Sequence, residues 1–319
     1  MTGAKPHIPV FLESILDVYR SEHISPQTYF DGTFGRGGHS LAIIKNFPGV
    51  DVYAADGDED AITYAQTNFK KEIEEKRLHV VHGSYRDFNS LRAAQNWPEK
   101  FDLMLLDLGV SSPQLDQADR GFSFYQAGPL DMRMNRKQKL TAADVVNQVE
   151  EQELAKIFIE LGEIARPFRV VRAIVEDRKT KPFTTTQELS KLIERIDGWQ
   201  KKGSHPATRY FMALRLHVNQ ELETLELALP DLIDALEENG LLAVITFHSL
   251  EDRVVKNILK ANLHRGELVN RKVIKPSDEE LKENPRSRSA KLRVFRKTIR
   301  GTLTRKQKYN LEHSLQDEE

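Results

Sequence analysis

Cysteine is absent from all 319 residues, which removes disulfides, thiolate catalysis and Cys-ligated zinc together. Long apolar runs are missing too. None approaches the roughly 20 residues that a membrane-crossing helix needs, so no membrane span is expected. The opening Met1 to Pro9 lacks a charged-then-apolar signal pattern, and the expectation is a cytoplasmic protein. No excess charge of either sign exists: 47 Lys and Arg stand against 48 Asp and Glu, which excludes a uniformly basic nucleic-acid coat. Histidines at metal-ligand spacing are also lacking, so no metal is expected. What remains is a globular composition, with a length that suits one main domain and one sizeable addition.

The chain is rhythmic in its first third. Short apolar runs at Thr28 to Phe30, Asp51 to Ala55, Leu78 to Val81 and Phe101 to Leu106 alternate with helical patterns at Ser40 to Asn46, Glu59 to Glu74 and Arg86 to Asn96. Alternation of this kind predicts an α/β fold, a parallel sheet covered by helices. From Ser111 to Pro206 the rhythm stops and helix start signals take over, at Thr141 with Asp144, at Pro167, and at Thr185 with Glu188. These boundaries predict a sheet domain over residues 1–110 and 207–319, interrupted by an all-helical insertion over 111–206. A single helical region from Thr208 to Glu238, a buried strand from Leu241 to Phe247 and a helix from Leu250 to Asn262 follow. Lys272 to Lys275 and Leu292 to Lys297 are expected to close the sheet as a hairpin. Between Pro285 and Lys308 there are ten Lys or Arg and no acid, and Arg166, Arg169 and Arg172 recur at helical spacing.

The segment after the first strand, Asp31-Gly32-Thr33-Phe34-Gly35-Arg36-Gly37-Gly38-His39, opens a helix, where α/β sheets bind cofactors. Glycines there admit positive φ and close approach of a ligand. A P-loop would require Lys and Ser/Thr after its second glycine, and a dinucleotide loop would require Gly-x-Gly-x-x-Gly. Neither pattern is met. An S-adenosylmethionine loop remains, with Asp31 as its strand-end acid, although Thr33 stands where glycine is commoner. Asp56 ends the second strand about 20 residues on, the spacing at which a carboxylate meets ribose hydroxyls. Asp58, Glu59 and Asp60 read as acids favouring a helix N-terminus.

After the fourth strand comes Asp107-Leu108-Gly109-Val110-Ser111-Ser112-Pro113-Gln114. With the glycine loop, with Arg120-Gly121-Phe122-Ser123-Phe124, Gly128 to Met134 and His205-Pro206-Ala207-Thr208-Arg209, and with Phe247 to Arg253 and Asn284 to Ser289, it resembles the 16S ribosomal RNA (cytosine-N4) methyltransferase family, RsmH or MraW. The resemblance spans nearly the whole chain. It implies a class I, Rossmann-like methyltransferase domain with a helical insertion that recognises substrate. It further implies S-adenosyl-L-methionine contacts at Gly37, Gly38, His39, Asp56, Tyr85, Asp107 and Gln114. The implied acceptor is the P-site cytosine of 16S rRNA in the small ribosomal subunit.

Cytosine N4 is a poor nucleophile, because its lone pair is delocalised into the ring, and a hydrogen-bond acceptor on its N–H helps localise that pair. Asp107 is the first candidate for this work, with Ser111, Ser112 and His248 as further ones. The chain lacks the Asp/Asn-Pro-Pro-aromatic motif common among amino-methylating enzymes, which leaves the contact to the target nitrogen open. The serines also read as turn-formers, and His248 as a structural hydrogen-bonding residue. Arg286, Arg288 and Lys291, in the acid-free run, are the candidate RNA-binding residues. A methyltransferase acting on a small molecule or a protein would share the loop and Asp56 without needing the basic run. A non-catalytic ribosome-assembly binder would bind RNA without turnover.

Overall fold

The computed structural model describes residues 8–22, 25–199, 205–270 and 272–298. The chain divides into two compact units, Met1–Gly109 with Glu223–Glu319, and Val110–Leu222. The first is α/β, as the alternation predicts. Its sheet contains β1 (Thr28–Asp31), β2 (Asp51–Asp56), β3 (Leu78–His82), β4 (Phe101–Asp107), β5 (Leu236–Thr246), β6 (Gly266–Leu268) and β7 (Lys291–Lys297). The order is β3-β2-β1-β4-β5-β7-β6, parallel from β3 to β5, with β7 antiparallel between β5 and β6. The order reverses between β1 and β4, and this switch point is where open α/β sheets hold ligands.

β4 is buried almost throughout, and its alternate residues face opposite sides of the sheet. Leu103 and Leu105 join a core with Ile15, Tyr19, Tyr29, Leu241 and Val294. Met104 and Leu106 join another with Phe30, Phe88, Leu232 and Val244. The amino ends of β1 and β4 are stapled by one carboxylate. Asp102 Oδ2 accepts from the Gln27 and Thr28 amides at 2.8 and 3.0 Å and from Thr28 Oγ1 at 3.1 Å.

Several boundaries differ from the sequence expectation. The helix over Glu59 to Glu74 is broken at Phe69 into Glu59–Asn68 and Lys70–Glu74. The region from Thr208 to Glu238 is two helices, Thr208–Asn219 and Glu221–Asp234, because Gln220 adopts a left-handed φ of 50°. β5 starts at Leu236 rather than Leu241. Its register shifts around Gly240, where an added Cβ would lie 3.0 Å from the Phe101 carbonyl oxygen. The hairpin partner of β7 is β6 rather than Lys272 to Lys275, which contributes one bridge, Ile274 to Leu292. Gly266 makes that pairing possible, since a Cβ there would come within 2.1 Å of the Arg296 carbonyl oxygen.

The second unit is helical, and the helix Thr208–Asn219 belongs to it, so its boundary lies at Leu222 rather than Pro206. The reason is packing: Tyr210, Phe211, Leu214 and Val218 are buried with Val145, Phe158, Val171 and Leu189 in one core. Capping boxes at Thr141 with Asp144 and at Thr185 with Glu188 start two of its helices. Among the described residues, no helix is long and apolar enough to cross a membrane.

Removing the Asp102 staple should weaken the sheet without touching its core. Asp102→Ala is expected to lower unfolding free energy by about 0.5–1.5 kcal/mol in urea titrations, the usual net worth of hydrogen bonds whose donors water can reach once the partner is gone.

Candidate active site at the carboxyl ends of the strands

β1, β2 and β4 each end on an aspartate, and the loop after β1 is tied to all three. Asp31 Oδ1 accepts from the Thr33 amide at 3.1 Å, and its Oδ2 accepts from Ser40 Oγ at 2.7 Å. Asp56 Oδ2 accepts from the Gly35 amide at 2.7 Å, and its Oδ1 accepts from the Asp58 amide at 2.8 Å. The Asp107 amide donates to Thr33 Oγ1 at 2.7 Å. Thr33 therefore has a reason to replace a glycine: its hydroxyl ties the turn to the end of β4.

Gly35 and Gly37 take positive φ angles of 55° and 70°. A Cβ at Gly57 would meet nothing within 4 Å, and one at Gly35 only the Thr33 carbonyl at 3.9 Å. Open space therefore borders Asp56, and each of its oxygens retains a lone pair. Gly37 and Gly38 serve packing as well. A Cβ on Gly37 would approach the Phe34 ring at 2.6 Å, and one on Gly38 would lie 2.4 Å from Pro9 Cγ. His39 is buried, its Nε2 3.0 Å from the Val10 carbonyl oxygen. That oxygen only accepts, so Nε2 carries a hydrogen, and Nδ1, an acceptor in the neutral ring, lies 3.8 Å from Asp107 Oδ2. The trio opens the helix Gly38–Asn46, whose amino end favours an anion. Tyr85 starts a short 3₁₀ turn against the loop, its Cβ 3.1 Å from where a Gly32 Cβ would sit.

The carboxylates are electrostatically unusual. Burial, partly offset by hydrogen bonds, raises Asp31 to about 6 and Asp56 to about 6. Asp107 is pushed up to about 8, first by desolvation and then by the charges of Asp31 and Glu251. Its Oδ1 is buried without a hydrogen-bond partner among the described residues, although 26% of the side chain remains exposed. An acceptor atom held in this way suits a ligand donor.

The other sequence candidates are placed as follows. His248 caps the helix Ser249–Ala261, its Nδ1 accepting from the Glu251 amide at 3.3 Å and its Nε2 lying 2.9 Å from Glu251 Oε1. Ser111 and Gln114 belong to the helical unit, where they form a capping box on Ser112–Asp116, the Ser111 amide donating to Gln114 Oε1 at 2.9 Å. Arg286 and Arg288 are exposed. Lys291 and Arg293 share Asp252, at 2.9 and 2.7 Å, and Arg296 pairs with Glu22 and Glu267. Lys297 reaches the Asp234 and Leu236 carbonyls. Three cations of the acid-free run, Lys291, Arg293 and Arg296, are thus paired with acids from elsewhere in the chain, while its members Arg300 to Lys308 lie outside the described residues. Of the arginine stripe, Arg172 lies 3.7 Å from Glu151, whereas Arg166 and Arg169 are exposed without an ion pair to a described residue. Pro9 and Val10 carried no signal in the sequence, because their contacts with Gly38 and His39 are long-range. Among the described residues, no group of His, Asp or Glu could hold a metal ion.

The MraW methylase family matches residues 4–298. The chain belongs to that family, and it is a methyltransferase. It is 54% identical over 300 residues to the ribosomal RNA small subunit methyltransferase H of Bdellovibrio bacteriovorus, covering 94% of this chain and 90% of that one. The protein of the same name from Coprothermobacter proteolyticus is 40% identical over 303 residues, covering 94% and 99%. A solved rRNA methylase from Streptococcus thermophilus is a distant likeness, with a TM-score of 0.40 and 10% identity over 88% of this chain and 96% of that one.

The raised carboxylates predict how stability follows pH. Asp107 is protonated in the folded ligand-free chain up to about pH 8 but ionised above about 4 when unfolded, so its stabilising effect is complete below pH 4 and disappears as pH rises through 8. Asp107→Asn, which mimics the protonated group, should flatten the fall in urea midpoint between pH 6 and 8.5. An unchanged slope would assign the shift elsewhere.

Proposed function

We propose that the chain transfers a methyl group from S-adenosyl-L-methionine to the N4 amino group of a cytosine in 16S ribosomal RNA, at the decoding-centre P site of the small subunit. The tethering of one glycine turn to Asp31, Asp56 and Asp107 beside open space is the observation that carries this reading. Family membership and the names of the relatives support the RNA substrate. The cytosine and its position rest on the motif resemblance.

The residues at the edge of the sheet fit the methyl donor. Asp56 has lone pairs for ribose hydroxyls, the amino end of Gly38–Asn46 suits a carboxylate, and Tyr85 offers a ring to an adenine. Gln114 is a further contact implied by the resemblance. When bound, S-adenosylmethionine supplies an electrophilic methyl on a sulfonium, so much of the remaining work is alignment. Asp107 accepts an N–H of the target amine, which localises the nitrogen lone pair, and it takes up the proton that the nitrogen sheds. A group titrating near neutrality is suited to that exchange, and any cation beside it favours the carboxylate form it needs. Ser111 and His248 cap helices, which ranks Asp107 ahead of them.

In this reading the helical unit recognises RNA, and Arg286 and Arg288 hold phosphate, with Lys291 shared between that task and Asp252. The cytoplasm, where ribosomes assemble, is the expected location.

Small subunits lacking the modification, incubated with the chain and labelled donor, should yield label in N4-methylated cytosine at the P site. Label in protein or metabolites instead would defeat the proposal. Asp107→Asn is expected to slow transfer by about 10²–10⁴-fold, the usual range for a general base, with the fold retained. Replacing Arg286 and Arg288 together by Ala should reduce the slope of log affinity against log salt by about 2.

A further inference from the structure

The helical unit carries a cluster of aromatic rings that runs from its core to its surface. Phe124 is partly buried and packs edge-on against Phe211 at 5.1 Å between centroids. Above it lie Tyr125 at 4.6 Å and the His205 ring at 4.6 Å, with Trp199 4.9 Å from His205. The outer members are open: Tyr125 is 75% exposed and Trp199, one of only two tryptophans in the chain, 58%. Exposed rings gathered in one patch typically mark an interaction site.

The loop that presents Tyr125 is held tightly at both feet. Gly121, at φ 73°, has the Pro129 carbonyl oxygen 2.2 Å from where a Cβ would sit, and Gly128 has the Ala118 carbonyl oxygen 1.7 Å from its own. No side chain fits at either position. The buried Thr186 completes the clamp: its hydroxyl donates to the Gln126 carbonyl at 3.0 Å, and its amide donates to the Gly128 carbonyl at 2.9 Å. The loop thus spends two glycines and a buried threonine on fixing a tyrosine whose ring faces solvent. The neighbouring His205 is fixed as well, its Nδ1 accepting from the Ala207 amide at 3.1 Å, which leaves Nε2–H as a donor in the neutral ring.

We propose that Tyr125 is the stacking platform for an unpaired nucleobase of the RNA substrate, with His205, whose ring stands at 73° to Tyr125 and 75° to Trp199, and Trp199 forming the rest of the aromatic site. The inference rests on the proposed function for its partner class. Ring faces accept any base by stacking, which is how proteins grip single-stranded RNA. A base reached by an active site has to leave its helix, so unpaired neighbours accompany it. Arg166 and Arg169 of the same unit, exposed and without an ion pair to a described residue, supply cations for the phosphates. Paired strands have their base faces covered and gain nothing from the rings, so the platform discriminates single strands from duplex.

The test uses the full chain with two probes, a single-stranded RNA oligonucleotide copied from small-subunit rRNA and a blunt RNA duplex of the same length. Tyr125→Ala is expected to weaken single-strand binding about tenfold, leaving duplex binding and S-adenosylmethionine affinity unchanged, and Tyr125→Trp is expected to keep single-strand binding. Single-strand affinity of Tyr125→Ala within twofold of the parent overturns the platform. So does an equal loss on both probes, or a parent that binds neither. A parent that binds single strands in this way but methylates no RNA refutes the proposed function and leaves the platform standing.

Discussion

Three parallel strands bring aspartates to one edge of the sheet, and a single glycine turn is bonded to all three. Everything proposed for the site depends on that tie. Asp31 and Asp56 spend oxygens on loop amides, and the amide of Asp107 is matched by Thr33, so the turn cannot move without breaking bonds at three strand ends. Holding carboxylates together in a partly dry edge is costly, and the cost appears as raised proton affinity, greatest at Asp107. A chain that keeps such a cluster has a use for acceptors poised near neutrality.

Much of this was legible in the sequence because it is local. Alternating apolar runs fix four strands to within a residue or two, and the loop and the strand-end acids occupy fixed offsets from them. The capping boxes at Thr141 and Thr185 are equally local. Elements that depend on contacts across the chain were not legible. Gln220 breaks a helix whose periodicity continues through it, and Gly266, rather than the apolar run at Lys272 to Lys275, fits against β7. The segment around Pro9 and Val10 bears on Gly38 and His39 from 29 residues away, which no spacing rule reports.

Charge shows the same division. A run without acids looks like a phosphate-binding strip until folding brings Asp252 to Lys291 and Arg293, and Glu22 and Glu267 to Arg296. Such pairs tie β7 to its surroundings and leave fewer cations for a partner, with Arg286 and Arg288 still exposed. The helical unit offers its own contribution through rings rather than charge, and a clamped loop makes that contribution rigid. Positive charge and stacking then act on different parts of an RNA, the first on its backbone and the second on bases released from pairing.

The most direct measurement is a crystal structure of the chain with S-adenosylhomocysteine. The account predicts ribose hydroxyls on Asp56, the amino acid carboxylate at the amino end of the helix Gly38–Asn46, and the sulfur facing Asp107. A nucleoside bound away from the turn between β1 and that helix, or no binding at millimolar ligand, would contradict it.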